Sequence, residues 1–197
     1  MHDSPTAKPN DVAFRKSTQR LAPIIPTFSV DQAYCLYPAF PVPPGTVKYG
    51  FGALADQVVS QHAVRIDGFI GVFWDGLCEM LKDALSSINI EAKWIDVSQA
   101  QKSPWEIESM VEPFLGGQDP LFGTRYIGEL TDFFDASRLA AIIPDSNATV
   151  TILYGCGAAL VDWEGPLFYV DLPKNELQYR SRMGNVLNLG ADRYVSP

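Results

Sequence analysis

The residues of this sequence most able to do chemistry lie in a glycine-rich turn. Gly68, Gly71 and Asp75 fall between a β-branched run and a stretch with apolar residues at helical spacing. A turn in that position directs backbone N–H groups, and the N-terminus of the next helix, toward an anion. Further charged groups that could bind a ligand follow later predicted strands: Asp96, Asp171, Arg180 and Arg182.

The turn fits only part of the phosphate-loop pattern G-x-x-x-x-G-K-[ST]. Gly68 takes the first glycine, but Phe73, Trp74 and Asp75 take the positions of the second glycine, the lysine and the hydroxyl residue. The strand–turn–helix context nevertheless resembles the P-loop of nucleotide kinases such as cytidylate kinase. We interpret the segment as a degenerate phosphate loop. Its candidate ligand-binding residues are Gly68, Gly71, Val72 and Trp74.

These substitutions affect phosphoryl transfer directly. In a working loop the lysine reaches the β- and γ-phosphates and the hydroxyl binds Mg²⁺, and Trp74 can do neither. Asp75 could hold a metal, or it could simply act as the anion that a helix N-terminus favours. With Phe69 and Phe73, Trp74 should fill the loop, either packed into the core or forming a stacking surface for a sugar or base.

The second half of the sequence resembles the same kinases. Residues 151–158 look like the third strand and its glycine turn, with Tyr154 where many such kinases carry an acid. Residues 168–182 look like a strand and lid helix, in which arginines clamp phosphates. Arg180 and Arg182 therefore either bind an anion, or are solvated or paired with acids of their own helix. Asp96 matches the position of an acceptor-binding acid.

The hydrophobic pattern predicts an α/β fold. Strands are expected at 63–66, 91–97, 149–154 and 167–170, and helices at 54–60, 74–85, 105–114, 126–143 and 174–182. Apolar strands separated by helices predict a parallel sheet covered on both faces. We therefore expect an extended Pro-rich arm at 1–45 and a three-layer P-loop kinase-like domain at 46–197, cut off before a last strand.

Composition excludes several classes of function. Of 197 residues, 23 are Asp or Glu and 15 Lys or Arg, so a net charge of −8 argues against nucleic-acid and anionic-membrane partners. No long apolar window predicts a membrane span or signal peptide, so we expect a cytoplasmic protein. Two histidines and three widely spaced cysteines, without a CxxC pair, predict no zinc site and buried, reduced thiols.

A closer resemblance covers roughly residues 50–193. The strings at 66–72, 132–135 and 169–176, together with Asn188-Leu189-Gly190, look like the N-terminal region of bacterial class I mannose-6-phosphate isomerase-like proteins. That resemblance implies isomerase chemistry in a C-terminal cupin domain with a zinc site. The sequence ends at Pro197, where that half would begin, so we expect no isomerisation by this chain.

Three functions remain open at this point. The first is a catalytically degenerate accessory domain of a sugar-phosphate isomerase, which binds a phosphorylated sugar or nucleotide or no small ligand. The second is an active nucleoside or sugar kinase with a rearranged loop, in which Asp75 or Asp96 holds Mg²⁺ of ATP and the arginines hold phosphate. The third is an assembly domain that docks a partner chain and binds no ligand.

Overall fold

The computed structural model describes residues 41–117 and 123–192. These described residues contain five α-helices and four strands, in the order α1 (Gly50–Val58), β1 (Ala63–Gly68), α2 (Trp74–Ser87), β2 (Ala92–Asp96), α3 (Pro104–Val111), α4 (Ala136–Ala140), β3 (Val150–Tyr154), β4 (Leu167–Val170) and α5 (Lys174–Arg182). Short 3-10 helices lie at Val97–Ala100, Glu112–Phe114, Leu130–Phe133 and Ala158–Leu160.

The strands form one parallel sheet in the order β2-β3-β1-β4, which confirms the predicted α/β class and parallel sheet. β1 pairs with β3 and with β4, and β3 also pairs with β2. No fifth strand follows β4 within residues 171–192, so β2 and β4 are the edges of the described sheet. β1 lies inside the sheet, and its last residues lie between those of its two neighbours.

Alternating side chains of the strands reach two apolar clusters on opposite faces of the sheet. Val64, Ile66 and Ile152 pack with α1 and α2. Ala63 and Leu153 point to the other face, where the cluster is completed by the 3-10 helix at 97–100, Phe134 and Trp163. Both faces are therefore covered, as buried parallel sheets require.

Local signals account for several element ends. Ser103 and Glu106 form a reciprocal capping box at the start of α3, with Pro104 in its first turn. α2 has no side-chain N-cap, and Asp75 stands in its first turn. The chain leaves α2 at Asn89, which has a left-handed φ of 57°.

The helix predicted at 126–143 is wrong. That segment contains a 3-10 helix at Leu130–Phe133 and the short α4 at Ala136–Ala140. Asp132 accepts hydrogen bonds from the Glu129 N–H and the Tyr126 hydroxyl, and Asp135 caps α4. These local side-chain bonds give the backbone an alternative to a continuous helix.

The predicted arm lies mostly outside the described residues. Its last part, residues 41–45, is exposed and is neither helix nor strand. Within residues 41–117 and 123–192, no helix combines the length and apolarity needed to cross a bilayer.

Candidate functional site

The candidate site lies at the edge of the sheet where the strands end. Because all four strands are parallel, four features lie at this edge: the turn after β1, Asp96 at the end of β2, residues 155–157 after β3 and Asp171 after β4. Ligands of open α/β sheets bind at this carboxyl edge. The structure therefore gathers most of the predicted site residues on one side of the molecule.

Asp67, at the end of β1, holds two of these turns together. Its Oδ1 accepts hydrogen bonds from the N–H groups of Gly68 at 2.6 Å and Gly157 at 3.0 Å, and its Oδ2 accepts one from Ala159 at 3.0 Å. The side chain is buried, with 6% of the residue exposed. Three N–H donors compensate this carboxylate for the loss of water.

Sequence reasoning did not single out Asp67 and missed this role. The Asp-Gly pair directly after the β-branched run was the available signal. Nothing local in the sequence indicates that two of the three donors, Gly157 and Ala159, lie in a turn 90 or more residues further along the chain.

The turn after β1 uses its own backbone donors. The N–H of Phe69 binds the carbonyl oxygen of Val170, that of Val72 binds Phe69, and that of Trp74 binds Val72. The N–H of Gly68 binds Asp67. Four N–H groups of this glycine-rich segment are thus engaged within the protein.

The two glycines of the turn are closely covered. A Cβ on Gly68 would lie 2.9 Å from the carbonyl oxygen of Val170 and 3.1 Å from the ring of Trp74. Gly71 has a φ of +95°, and a Cβ there would lie 2.7 Å from Leu177 of α5. Only glycine fits both positions, and the reason is packing against other parts of the chain.

Arg180 reaches the same turn from α5. Its Nε donates to Glu176 at 3.1 Å, its Nη1 donates to the carbonyl oxygen of Gly71, and its guanidinium lies 3.9 Å from the ring centre of Phe73. Arg180 and Glu176 are both buried. Of the two predicted alternatives for Arg180, pairing with an acid of its own helix is the one that the structure contains.

Three predicted site residues lie apart from this packing. Arg182 is exposed on α5, Asp75 is exposed in the first turn of α2, and Asp171 is exposed after β4, where its Oδ1 accepts from the N–H of Leu172 at 2.8 Å. None of the three lines the cavity at this edge.

That cavity has a volume of about 230 Å³ and is lined by four of the other predicted residues, but not by Gly68 or Arg180. Gly71, Val72, Trp74 and Asp96 line it. The segment 185–190 after α5 supplies its opposite wall. Gly190, at the end of this segment, packs directly against Ile107 of α3, since a Cβ at this position would overlap that side chain. Its φ of +75° also favours glycine.

Asp96 is the charged group of the cavity. Its Oδ1 accepts from the N–H of Ser98 at 2.8 Å and caps the 3-10 helix at 97–100. Burial, followed by the charge of Asp96, raises the pKa of Tyr154 to about 12, and the phenol also hydrogen-bonds Asp96. Tyr154 is therefore a neutral phenol at physiological pH.

Trp74 is half-buried and forms an aromatic wall with Tyr154. Their ring centres lie 6.0 Å apart, and Tyr154 lies 5.9 Å from Trp94 on β2. Trp74 also packs against the apolar cluster on the α1–α2 side and against a smaller one formed by Val72, Leu77 and Cys78. It thus contributes to the core and presents part of its ring to the cavity.

The thiols near this edge are poorly suited to nucleophilic chemistry. Burial raises the pKa of Cys78 and of Cys156 to about 11, and the charge of Asp67 adds to the effect at Cys156. A thiol with so high a pKa supplies almost no thiolate at neutral pH.

Among residues 41–117 and 123–192, no group of three or more His, Cys, Asp or Glu could hold a metal ion.

A second cavity, of about 960 Å³, lies at the opposite edge of the sheet. His62, Ala63, Ile142 and Trp163 are among its lining residues, all near the amino ends of strands. The indole N–H of Trp163 donates to the carbonyl oxygen of Ile142 at 2.9 Å, so this polar group is already paired. The larger cavity is separate from the predicted site residues.

Fold and site together define an α/β domain with a glycine-rich turn and a small cavity at the carboxyl edge of a four-stranded parallel sheet. The chain belongs to the family described as Domain of unknown function (DUF8485), whose model matches residues 50–197. Neither the curated proteins nor the solved structures contain a match to it.

Proposed function

We propose that this chain is a catalytically degenerate, three-layer P-loop kinase-like domain that transfers no phosphoryl group. It serves as an accessory module to a cupin-type sugar-phosphate isomerase of the mannose-6-phosphate isomerase-like class. The strand–turn–helix unit after β1 and the position of α5 over that turn support the kinase-like architecture. The two described cysteines are free thiols, which suits a reducing cytoplasm.

The engaged backbone of the turn after β1 carries this proposal. The N–H groups of Gly68, Phe69, Val72 and Trp74 already have acceptors in the protein. Arg180, the cation nearest in role to a phosphate clamp, is bound to Glu176 and Gly71. Phosphoryl transfer depends on donors and cations that are free to stabilise the transferring group, and these four donors and this cation are engaged within the protein.

Incubation of the purified full chain with Mg-ATP and a panel of nucleosides and sugars tests the proposal. We expect no transfer and no ATP hydrolysis above the rate without protein. We also expect no interconversion of mannose 6-phosphate and fructose 6-phosphate at any zinc concentration. Turnover of either kind in protein free of contaminating enzymes would refute the proposal.

An active kinase with a rearranged site is the second candidate, and the carboxylate of Asp96 in the cavity favours it. Carboxylates bind Mg²⁺ beside substrate phosphates in many kinases. This alternative predicts Mg-ATP turnover that Asp96→Ala or Asp75→Ala abolishes.

A further inference from the structure

The cavity at the carboxyl edge has a size that restricts its ligand. Its volume of about 230 Å³ lies below the range of roughly 300–1,000 Å³ that is common for drug-sized ligands. A single small ring fits this space better than a nucleotide does. The segment 185–190 lines one part of it.

The polar groups of the cavity indicate what such a ring must carry. They comprise one carboxylate, one hydroxyl and three amides: Asp96, Ser98, Gln101, Asn185 and Asn188. None of the described residues that line the cavity is Lys, Arg or His. An ionised carboxylate only accepts hydrogen bonds, whereas an amide both donates and accepts. This set matches hydroxyl groups, which also do both.

The same set opposes a phosphate. A phosphate in this space would meet the charge of Asp96 with no cation among the lining residues to offset it. Arg180 is not among the lining residues. Its guanidinium is engaged by Glu176, by the carbonyl oxygen of Gly71 and by the ring of Phe73. The acceptor capacity of Asp96 is not exhausted by the N–H of Ser98 and the phenol of Tyr154, since a carboxylate has about four lone-pair sites.

We propose that this cavity binds a neutral, hydroxyl-rich molecule of monosaccharide size, an unphosphorylated sugar or cyclic polyol. Asp96 accepts from a hydroxyl of the ligand, Gln101 and Asn188 contribute amide contacts, and the exposed part of the Trp74 ring packs against a C–H face. The inference rests on the proposed function only in treating the site as non-catalytic. It replaces the phosphorylated sugar or nucleotide expected from the sequence by a sugar or polyol without phosphate.

Calorimetric titration of the full chain tests this inference with four probes: mannose, myo-inositol, mannose 6-phosphate and glucosamine. We expect mannose or myo-inositol to bind at least about tenfold more tightly than mannose 6-phosphate, since one charged contact is worth that much. Tighter binding of the phosphate, binding of glucosamine alone, or no binding of any probe would overturn the inference.

Asp96→Asn locates the site. Asparagine retains an N-cap oxygen for the N–H of Ser98, so the fold should persist, while affinity for the neutral probe should fall by about tenfold and that for mannose 6-phosphate should not. Asp162→Asn, an exposed acid at the other cavity, is the matched control and should change neither. Unchanged affinity of the Asp96→Asn variant for the neutral probe would overturn the assignment of the binding site to this cavity.

Gln101→Met, which keeps side-chain length and removes the amide, provides the same test if Asp96→Asn fails to fold. Weaker binding of the neutral probe supports the site, and unchanged binding overturns it. Mg-ATP turnover would refute the proposed function without affecting these titrations, whereas a failure of all four probes would refute only the present inference.

Discussion

The guanidinium group of Arg180 donates a hydrogen bond to the carbonyl oxygen of Gly71, so α5 is attached directly to the turn after β1. The same side chain pairs with Glu176 one helical turn earlier, and both residues are buried. A group that resembled a phosphate clamp in the sequence therefore stabilises the protein's own loop.

Replacing Arg180 should destabilise the fold strongly. Arg180→Met removes the cation beside a buried carboxylate, and we expect a loss of about 3–5 kcal/mol in the free energy of unfolding, measured with urea. Arg182→Met, on the exposed side of α5, should change it by less than about 0.5 kcal/mol. Arg180→Met combined with Glu176→Leu should recover much of the loss. Equal stability of Arg180→Met and the unchanged protein would contradict this account.

Restoring the phosphate-loop residues should not restore nucleotide binding. Phe73→Gly with Trp74→Lys introduces the missing glycine and lysine, but Leu177 still covers Gly71 and the turn's N–H groups remain engaged. We expect no ATP binding in equilibrium dialysis. Tight binding by a folded double variant would mean that the turn is an open cradle.

Trp74 should contribute to stability as a core residue even though part of its ring is exposed. Trp74→Ala should lower the free energy of unfolding by about 3 kcal/mol, at the lower end of the range for large aromatic truncations. Trp105→Ala, a change at a tryptophan with 74% exposure, is the control and should have little effect. A small loss in Trp74→Ala would assign this ring to the cavity alone.

Asp67→Asn should weaken the link between β1 and the turn after β3. An amide can accept through only one of its two positions, so one of the N–H groups that bind Asp67 faces another donor. We expect a loss of about 1–3 kcal/mol and faster hydrogen exchange at Gly157 and Ala159. Asp171→Asn, an exposed acid after β4, should leave both measurements unchanged.

Stability should fall at alkaline pH. The pKa of Cys78 and of Cys156 is about 11 in the folded protein, against a value of 9.0 for an unperturbed thiol. The unfolded chain thus loses these protons first, so the stabilisation is complete below pH 9 and is lost as pH rises through 11. Urea unfolding at pH 8 and at pH 10.5 measures this loss of stability. Cys156→Ala should reduce the difference in the free energy of unfolding between the two pH values. An identical pH dependence in that variant would contradict the role of Cys156.

Patterns within short windows were sufficient for most of the elements. The predictions at 167–170 and 174–182 match β4 and α5 at both ends, and those for the other strands differ from the structure by at most two residues at either end. Alternation, β-branched residues and helical spacing act over a few neighbouring residues, so the sequence displays them directly. The prediction of one helix at 126–143 was wrong, because Asp132 and Asp135 form turn and cap hydrogen bonds that compete with a continuous helix.

The sequence alone also established that the turn after β1 lacks the lysine and hydroxyl residue of a phosphate loop. It could not reveal what replaces them, because the partners are distant in the chain: Arg180 is 109 residues from Gly71, and Gly157 is 90 residues from Asp67. Whether a charged side chain faces a ligand or a carbonyl oxygen of its own protein depends on where folding brings these segments together. Only the tertiary structure decided that Arg180 and Asp67 hold the turns, while Asp96 faces the cavity.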